Sequence, residues 1–441
     1  MTPPVNVHIV GAGLAGLSAA VELASTGATI HLYEAAKAAG GRCRSYYDPH
    51  LHMETDNGNH LMLSGNHHAL NYQEKIGGLE HLALSPDARF QFTDLRNGDR
   101  WAIAPPTGNF PFGILSKTSR PPEARLRDYL EILKLMLSQS DTPIEQKMRC
   151  DGPLYHKFLR PVLLAALNTD PASASSALAR QVLRDTLMKG AQACKPIMAR
   201  RGLSKALIDP ALSCLKKHGA TQYFSTRVLG LSLTDTHATS LHFDGHSKTL
   251  APTDIVILAT PPQFAKTLIP GVKTPDDFNA IVNIHFAVAA PHDLAPITGV
   301  IGATTEWLFA YEDRLSVTIS AANKLLERTN QQIAEDTWRE ASMIADLNMP
   351  MPRWRVVREK RATFAATPSQ NALRPGAKTP FSNVLLAGDW TATGLPATIE
   401  GAIKSGKTAA GLAQALFANA QPANIDTPAS KTRDIAYASY R

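Results

Sequence analysis

Short strand-like runs recur along the chain, and most stop at a glycine, a proline or an acid. Val7–Val10 runs into Gly11, Thr29–Tyr33 into Glu34, Ile255–Ala259 into Thr260-Pro261-Pro262, and Val384–Ala387 into Gly388 and Asp389. Apolar runs of this length predict strands buried on both faces, as in a parallel sheet. After Gly11, Gly13 and Gly16 the spacing becomes helical, so strand, helix and strand alternate and predict a parallel α/β layer at the N-terminus. Helical apolar spacing also covers Arg125–Ser138, Leu154–Asn168 and Ser175–Gly190, with Asp170-Pro171 separating the last two. Strand-like runs at Ile281–Ala289, Leu315–Ile319 and Trp354–Val357, with a helix near Gln331–Ala345, predict a sheet with helices over one face, the floor of a cavity.

The turn after the first strand carries chemistry. Gly11 permits a tight turn, Gly13 leaves room for a pyrophosphate against the backbone, and Gly16 lets the helix pack closely on the strand. The helix N-terminus presents free N–H groups to phosphate oxygens. Glu34, at the end of the second strand, offers a carboxylate to both hydroxyls of an adenosine ribose, which favours an unphosphorylated ribose. The bland alternative is a glycine-rich turn without a nucleotide. Strand, helix, strand and terminal acid in sequence favour a dinucleotide site.

The stretch Ala39-Gly40-Gly41-Arg42-Cys43-Arg44-Ser45 resembles the loop that crosses the flavin diphosphate in the amine oxidase and phytoene desaturase superfamily. That resemblance implies a Rossmann-like FAD-binding domain, discontinuous over 1–80, 200–265 and 375–420, with an inserted α+β substrate domain over 81–199 and 266–374. It implies FAD as cofactor, held at its N-terminal side by Gly11, Ala12, Gly13, Ala15, Gly16, Glu34, Ala35, Gly41 and Arg42. Gly58, Asn59, His60 and Leu61 are implied beside the isoalloxazine, and Val228 along the adenine. Gly388 and Asp389 are implied near the ribityl and pyrophosphate groups. The helix after Pro396, with Thr398, Ile399 and Glu400 in its first turn, would point its positive end at the flavin N1–C2 carbonyl.

More specific strings narrow the resemblance. Asp56-Asn57-Gly58-Asn59-His60, Leu164–Thr169, Val357–Pro368 and Gly388–Gly401 are similar to the hydroxysqualene dehydroxylases, over nearly the whole chain. One departure is Asn59, where that family more usually has glutamine. The resemblance implies reductive removal of the hydroxyl of hydroxysqualene to give squalene, within hopanoid synthesis. Its rivals are an oxidative polyene desaturase using the same site in the opposite redox direction, and a non-catalytic prenyl-lipid carrier. No second nucleotide fingerprint indicates the reductant.

His60, Arg44 and Glu400 are the candidate catalytic side chains. Each has a structural alternative: His60 as a core histidine, Arg44 as a surface or diphosphate-neutralising cation, Glu400 as a cap of its own helix. Arg42 suits a bidentate diphosphate contact. Asp56 reads as a turn or cap residue. Glu359 and Arg361 share one side of a strand, with Lys360 on the other, and one of them lines the site or ends a salt-bridged strand.

Composition adds limits. The 441 residues are 44% hydrophobic, enough for two or three cored domains. No apolar run approaches the roughly 20 residues that span a bilayer. Cys43, Cys150, Cys194 and Cys214 show no metal spacing and are expected as reduced thiols of a cytoplasmic protein, and no metal site is expected. The net charge of +7 comes without a basic block interleaved with aromatics, which argues against nucleic acid and suits an anionic membrane surface. Phe110–Leu115 and the helix near 123–138, with Lys117, Arg120, Arg125, Arg127 and Lys134, have the composition of an interfacial segment on the inner face of the cytoplasmic membrane. A buried helix of the substrate domain is the alternative. Residues 421–441 read as a loosely ordered tail.

Overall fold

The computed structural model describes residues 5–105, 120–419 and 433–434. The expectations for Phe110–Leu115, for Lys117 and for nearly all of the C-terminal stretch lie outside these residues. Five parallel strands form a central sheet in the order Thr221–Tyr223, Thr29–Tyr33, Asn6–Val10, Ile255–Leu258, Val384–Leu386. Alternation along the strands divides their side chains between two cores. Val7, Ile9, Ile30, Leu32, Ile257 and Leu385 pack under the helices Leu14–Leu23 and Ile399–Asn419. Val10, Tyr33, Val256, Leu258 and Leu386 turn to the other face, towards a small antiparallel sheet of Gly230–Leu233, Ala238–His242 and Ser247–Thr249. The two helices touch because their contact is built from small residues: a Cβ on Gly406 would stand 2.1 Å from the Ala15 carbonyl oxygen.

A second, seven-stranded sheet runs Trp354–Phe364, Phe278–Phe286, Leu315–Ile319, Trp307–Ala310, Ile297–Ile301, Phe90–Asp94, Asp99–Ile103. The helix Asn330–Ile344, capped by Thr329 and Gln332, covers one face with Ile333, Ala334, Trp338 and Ala341. The other face is roofed by Tyr129–Leu137, by Arg160–Leu167 after a wide turn at Tyr155–Leu159, and by Ser176–Asp185. Ile132, Leu135, Leu159, Leu163 and Leu178 from the roof share one apolar cluster with Phe92, Trp101, Trp307 and Phe309 from the sheet. The strand expected at Trp354–Val357 and the one carrying Glu359–Arg361 are a single element that runs to Phe364 and shifts register opposite Asn279–Ile281. Of its charged Arg358–Arg361 run only Lys360 and Arg361 are exposed.

Candidate active site

The three glycines of the first turn do three different jobs. Gly11 has φ +106, and a Cβ there would meet the Ala259 carbonyl at 2.6 Å. A Cβ on Gly16 would stand 1.9 Å from the Gly11 oxygen. Both positions are therefore closed by protein. Gly13, at the start of the first helix, would find nothing within 4 Å. Ala15 is buried inside that first turn. Glu34 Oε2 accepts the Ala12 N–H at 2.8 Å, and Oε1 accepts that of Ala36 at 2.8 Å. Two amides thus fix the carboxylate at the carboxyl end of the strand Thr29–Tyr33, beside exposed Ala35. The segment leading to buried Val228 runs along it, with Thr226 N donating to Glu34 O at 2.8 Å.

The loop of Gly40, Gly41 and Arg42 closes over this turn. Gly40 N donates to Ala12 O at 2.8 Å, and a Cβ on Gly41 would lie 3.5 Å from Gly13 Cα. Helix start and loop therefore form a cradle without side chains, open at Gly13, which fits a dinucleotide diphosphate. Arg42 Nη2 reaches Asp389 Oδ1 and Oδ2 at 2.8 and 2.7 Å, and Nη1 donates to Ala362 O. Asp389 raises the already high affinity of the Arg42 guanidinium for its proton. Arg42 is enclosed on most sides, yet 43% of its side chain is open, as expected of a residue lining a cleft. Arg44 points outward, Nη1 donating to Gly41 O at 2.6 Å.

The C-terminal half of the site is anchored by Arg374, whose Nη2 donates to the backbone oxygens of Asp389 and Thr391 and to Thr393 Oγ1. Gly388 has φ +150, and a Cβ there would strike the Trp390 indole at 2.3 Å. After buried Pro396 comes the long helix, whose first residue is Ile399; Thr398 precedes it and accepts the Gly401 N–H at 3.1 Å. Glu400 turns away: its Oε1 and Oε2 accept the His68 and Ala69 N–H groups at 3.0 and 2.8 Å. It caps the helix His67–Ile76, not its own.

Between the two halves lies the loop from Asp56 to Leu61. Asp56 is a buried ion-pair residue, beyond the turn role expected of it. Its Oδ2 is 3.3 Å from Arg314 Nη2, and its Oδ1 accepts Ser45 Oγ at 2.6 Å and Leu203 N at 2.8 Å. A Cβ on Gly58 would meet Asn283 Nδ2 at 3.0 Å. Asn59 Nδ2 donates to Thr318 Oγ1 at 3.0 Å, and Tyr311 donates its hydroxyl to Asn59 Oδ1 at 3.3 Å. Burial holds the Tyr311 phenol well above its usual range. Burial also pushes His60 down to about 4, so its imidazole is neutral; its Nε2 lies 3.9 Å from Cys43 Sγ. Asn57 Nδ2 donates to Glu359 Oε2 at 3.3 Å, which turns Glu359 to the site. Leu61, Tyr311 and Ala397 pack against the large apolar core that also contains Phe92, Trp101, Trp307 and Phe309.

Sequence reading passed over Asn283, Thr318, Tyr311, Arg314, His285 and Arg374. For two of them a signal existed: Asn283 and His285 sit two apart among the apolar residues Ile281, Val282, Ile284 and Phe286 and so face the same side. His285, held near 4 mainly by burial, links Ser316 Oγ at 2.7 Å and Asp56 O at 3.0 Å.

The profile of the family described as flavin containing amine oxidoreductase matches residues 14–413. A Sinorhizobium fredii protein named hydroxysqualene dehydroxylase is 46% identical over 93% of this chain and 98% of its own. One of the same name from Rhodopseudomonas palustris is 46% identical over 92% and 98%. A zeta-carotene desaturase from Synechocystis sp. matches only 18% of this chain, at 39% identity. Among solved structures, cyclohexylamine oxidase from Brevibacterium oxydans shares the fold with a TM-score of 0.67, at 15% identity over 94% of this chain and 100% of that one. The chain is an FAD-dependent oxidoreductase. The chain belongs to the flavin containing amine oxidoreductase family, in the branch that holds the hydroxysqualene dehydroxylases.

Proposed function

We propose that this enzyme reductively removes the hydroxyl of hydroxysqualene to give squalene. The observation that carries the reading is the full-length likeness to the two hydroxysqualene dehydroxylases, which extends over both sheets and the roof. The chemistry sets what the site must supply, since a hydrocarbon chain needs apolar surroundings and an allylic cation needs protection from water. FAD, when reduced, supplies the hydride. The chain's own part is to hold the flavin with Gly11, Gly13, Glu34, Gly41, Gly58, Val228, Asp389 and the backbone around Thr398, over residues 1–80, 200–265 and 375–420. Residues 81–199 and 266–374 hold the lipid. Hydroxide is a poor leaving group, so the departing oxygen must be protonated as its bond to carbon breaks.

The test uses dithionite-reduced holoenzyme and hydroxysqualene under anaerobic conditions, with lipids read by mass. Squalene should form as the flavin reoxidises, one flavin per hydroxyl lost. Bleaching of oxidised flavin by a saturated polyene segment, with a conjugated product and no dehydroxylation, would establish the desaturase instead.

A membrane-surface location at the inner face of the cytoplasmic membrane is part of this reading. No helix among the described residues is long and apolar enough to cross a bilayer. The helix near 123–138 buries Tyr129, Ile132 and Leu135 but leaves Leu126, Leu130, Leu133 and Leu137 exposed, Leu137 by 81%. Four leucines at helical spacing, beside exposed Arg125 and Arg127, match an interfacial helix.

A further inference from the structure

The two faces of the seven-stranded sheet are furnished differently. Val282, Ile284, Leu308, Leu315, Val317 and Ile319 belong to the core under the helix Asn330–Ile344. Alternation sends Asn283, Thr318, Trp307 and Phe309 to the opposite face, and Asn283 pairs across from Thr318, which pairs across from Trp307. That face meets the Asp56–Leu61 loop. The side-chain amides and hydroxyls on it are bonded to one another, with one exception.

The exception is the Asn283 amide. Its Oδ1 accepts two hydrogen bonds, from Thr318 Oγ1 at 2.8 Å and from Asn59 N at 3.3 Å. Both come from groups with a proton to give, so the oxygen is fixed on that side and the NH2 on the other. Asn283 is 2% exposed, and its Nδ2 donates to no group among the described residues. It lies against the backbone of Gly58, where even a Cβ would crowd it at 3.0 Å. An amide with a satisfied oxygen and an unused N–H pair that is not fully enclosed is free to donate to a ligand. Nearby, the indole N–H of Trp307 is also buried without a partner.

We propose that Asn283 Nδ2 receives the hydroxyl oxygen of the substrate, with Thr318, Asn59 and Tyr311 orienting the amide. The inference rests on the proposed function, because an isoprenoid alcohol has a single hydrogen-bonding group. Once its chain is enclosed in the protein, that oxygen loses water and needs a donor. Asn283 supplies one beside Gly58, the loop assigned to the isoalloxazine, so the carbon that bears oxygen is held at the flavin. The hydrocarbon product cannot make this bond. The site therefore distinguishes alcohol from alkene, binding the former more tightly and releasing the latter.

The test is binding to oxidised holoenzyme, read as perturbation of the flavin spectrum by hydroxysqualene and by squalene. The wild type should bind the alcohol about tenfold more tightly, or about 1.4 kcal/mol. Asn283→Leu should weaken the alcohol by that factor and leave squalene unchanged. If Asn283→Leu fails to retain flavin, Thr318→Val, which frees the amide to rotate, decides by the same ratio. Wild-type preference retained in the variant, or absent from the wild type, overturns the assignment. Squalene formation by reduced wild-type enzyme with an unchanged binding ratio would sink this inference alone. No squalene formed would sink the proposed function and this inference with it.

Discussion

Arg42 and Asp389, 347 residues apart in sequence, meet through a guanidinium nitrogen placed 2.8 and 2.7 Å from the two carboxylate oxygens. The pair fastens the Gly40–Arg42 loop to the segment that follows strand Val384–Leu386, and Asp389 is 7% exposed. Asp389→Ala should leave a folded protein that loses FAD on gel filtration. The cost is about 1–2 kcal/mol, reduced from the usual value for a charged hydrogen bond because Arg42 is partly open to solvent. Full flavin retention would show that the pair is not part of the cradle.

Gly13 and Gly16 should separate cofactor binding from folding. Gly13→Val fills open space and should give stable, flavin-poor protein, as should Glu34→Ala, which loses the ribose acceptor. Gly16→Ala drives a methyl into the Gly11 carbonyl and should destabilise the protein itself. Thermal melts and flavin absorbance on the three variants check this. Unchanged FAD affinity in Gly13→Val would misplace the cofactor.

Replacing Leu130, Leu133 and Leu137 with glutamine should lower flotation with anionic liposomes while leaving the flavin spectrum and melting temperature intact. All three side chains are exposed, so no core is lost. Unchanged flotation would remove the membrane from the reading.

Stability should rise with pH between about 4.5 and 6.5. His8, His60 and His285 are each held down near 4, mainly by burial, so across this window the unfolded chain binds three protons that the native chain does not. Glu306, pushed up to about 7 by burial, acts the other way by holding one extra proton in the native state. Three against one leaves the unfolded state with more protons, so stability increases as pH rises. Urea midpoints at pH 5 and pH 7 measure it. A midpoint higher at pH 5 would contradict the burial of these imidazoles.

The cofactor half was legible because its requirements are local. Gly11, Gly13, Gly16 and Glu34 lie within one strand, helix, strand unit, and each answers to a backbone constraint that a single residue type meets. The polar cluster on the seven-stranded sheet was not, because Asn283, Thr318 and Tyr311 come together only when separate strands pair and meet Asn59. Glu400 shows the same limit: its place at a helix start suggested a cap, but the backbone amides it serves belong to His68 and Ala69. The small sheet at 230–249 was missed for another reason, since its short strands alternate polar and apolar residues without a strong run.

The parallel sheet draws its last strand, Val384–Leu386, from near the end of the chain and sets it beside Ile255–Leu258. During synthesis at about 5–20 residues per second, Asp389 emerges on the order of 20–70 s after Arg42. Until then the nucleotide turn exists without its second wall. The clamp between the glycine loop and the Asp389 segment is therefore a late event of synthesis, formed only after both sheets have been made.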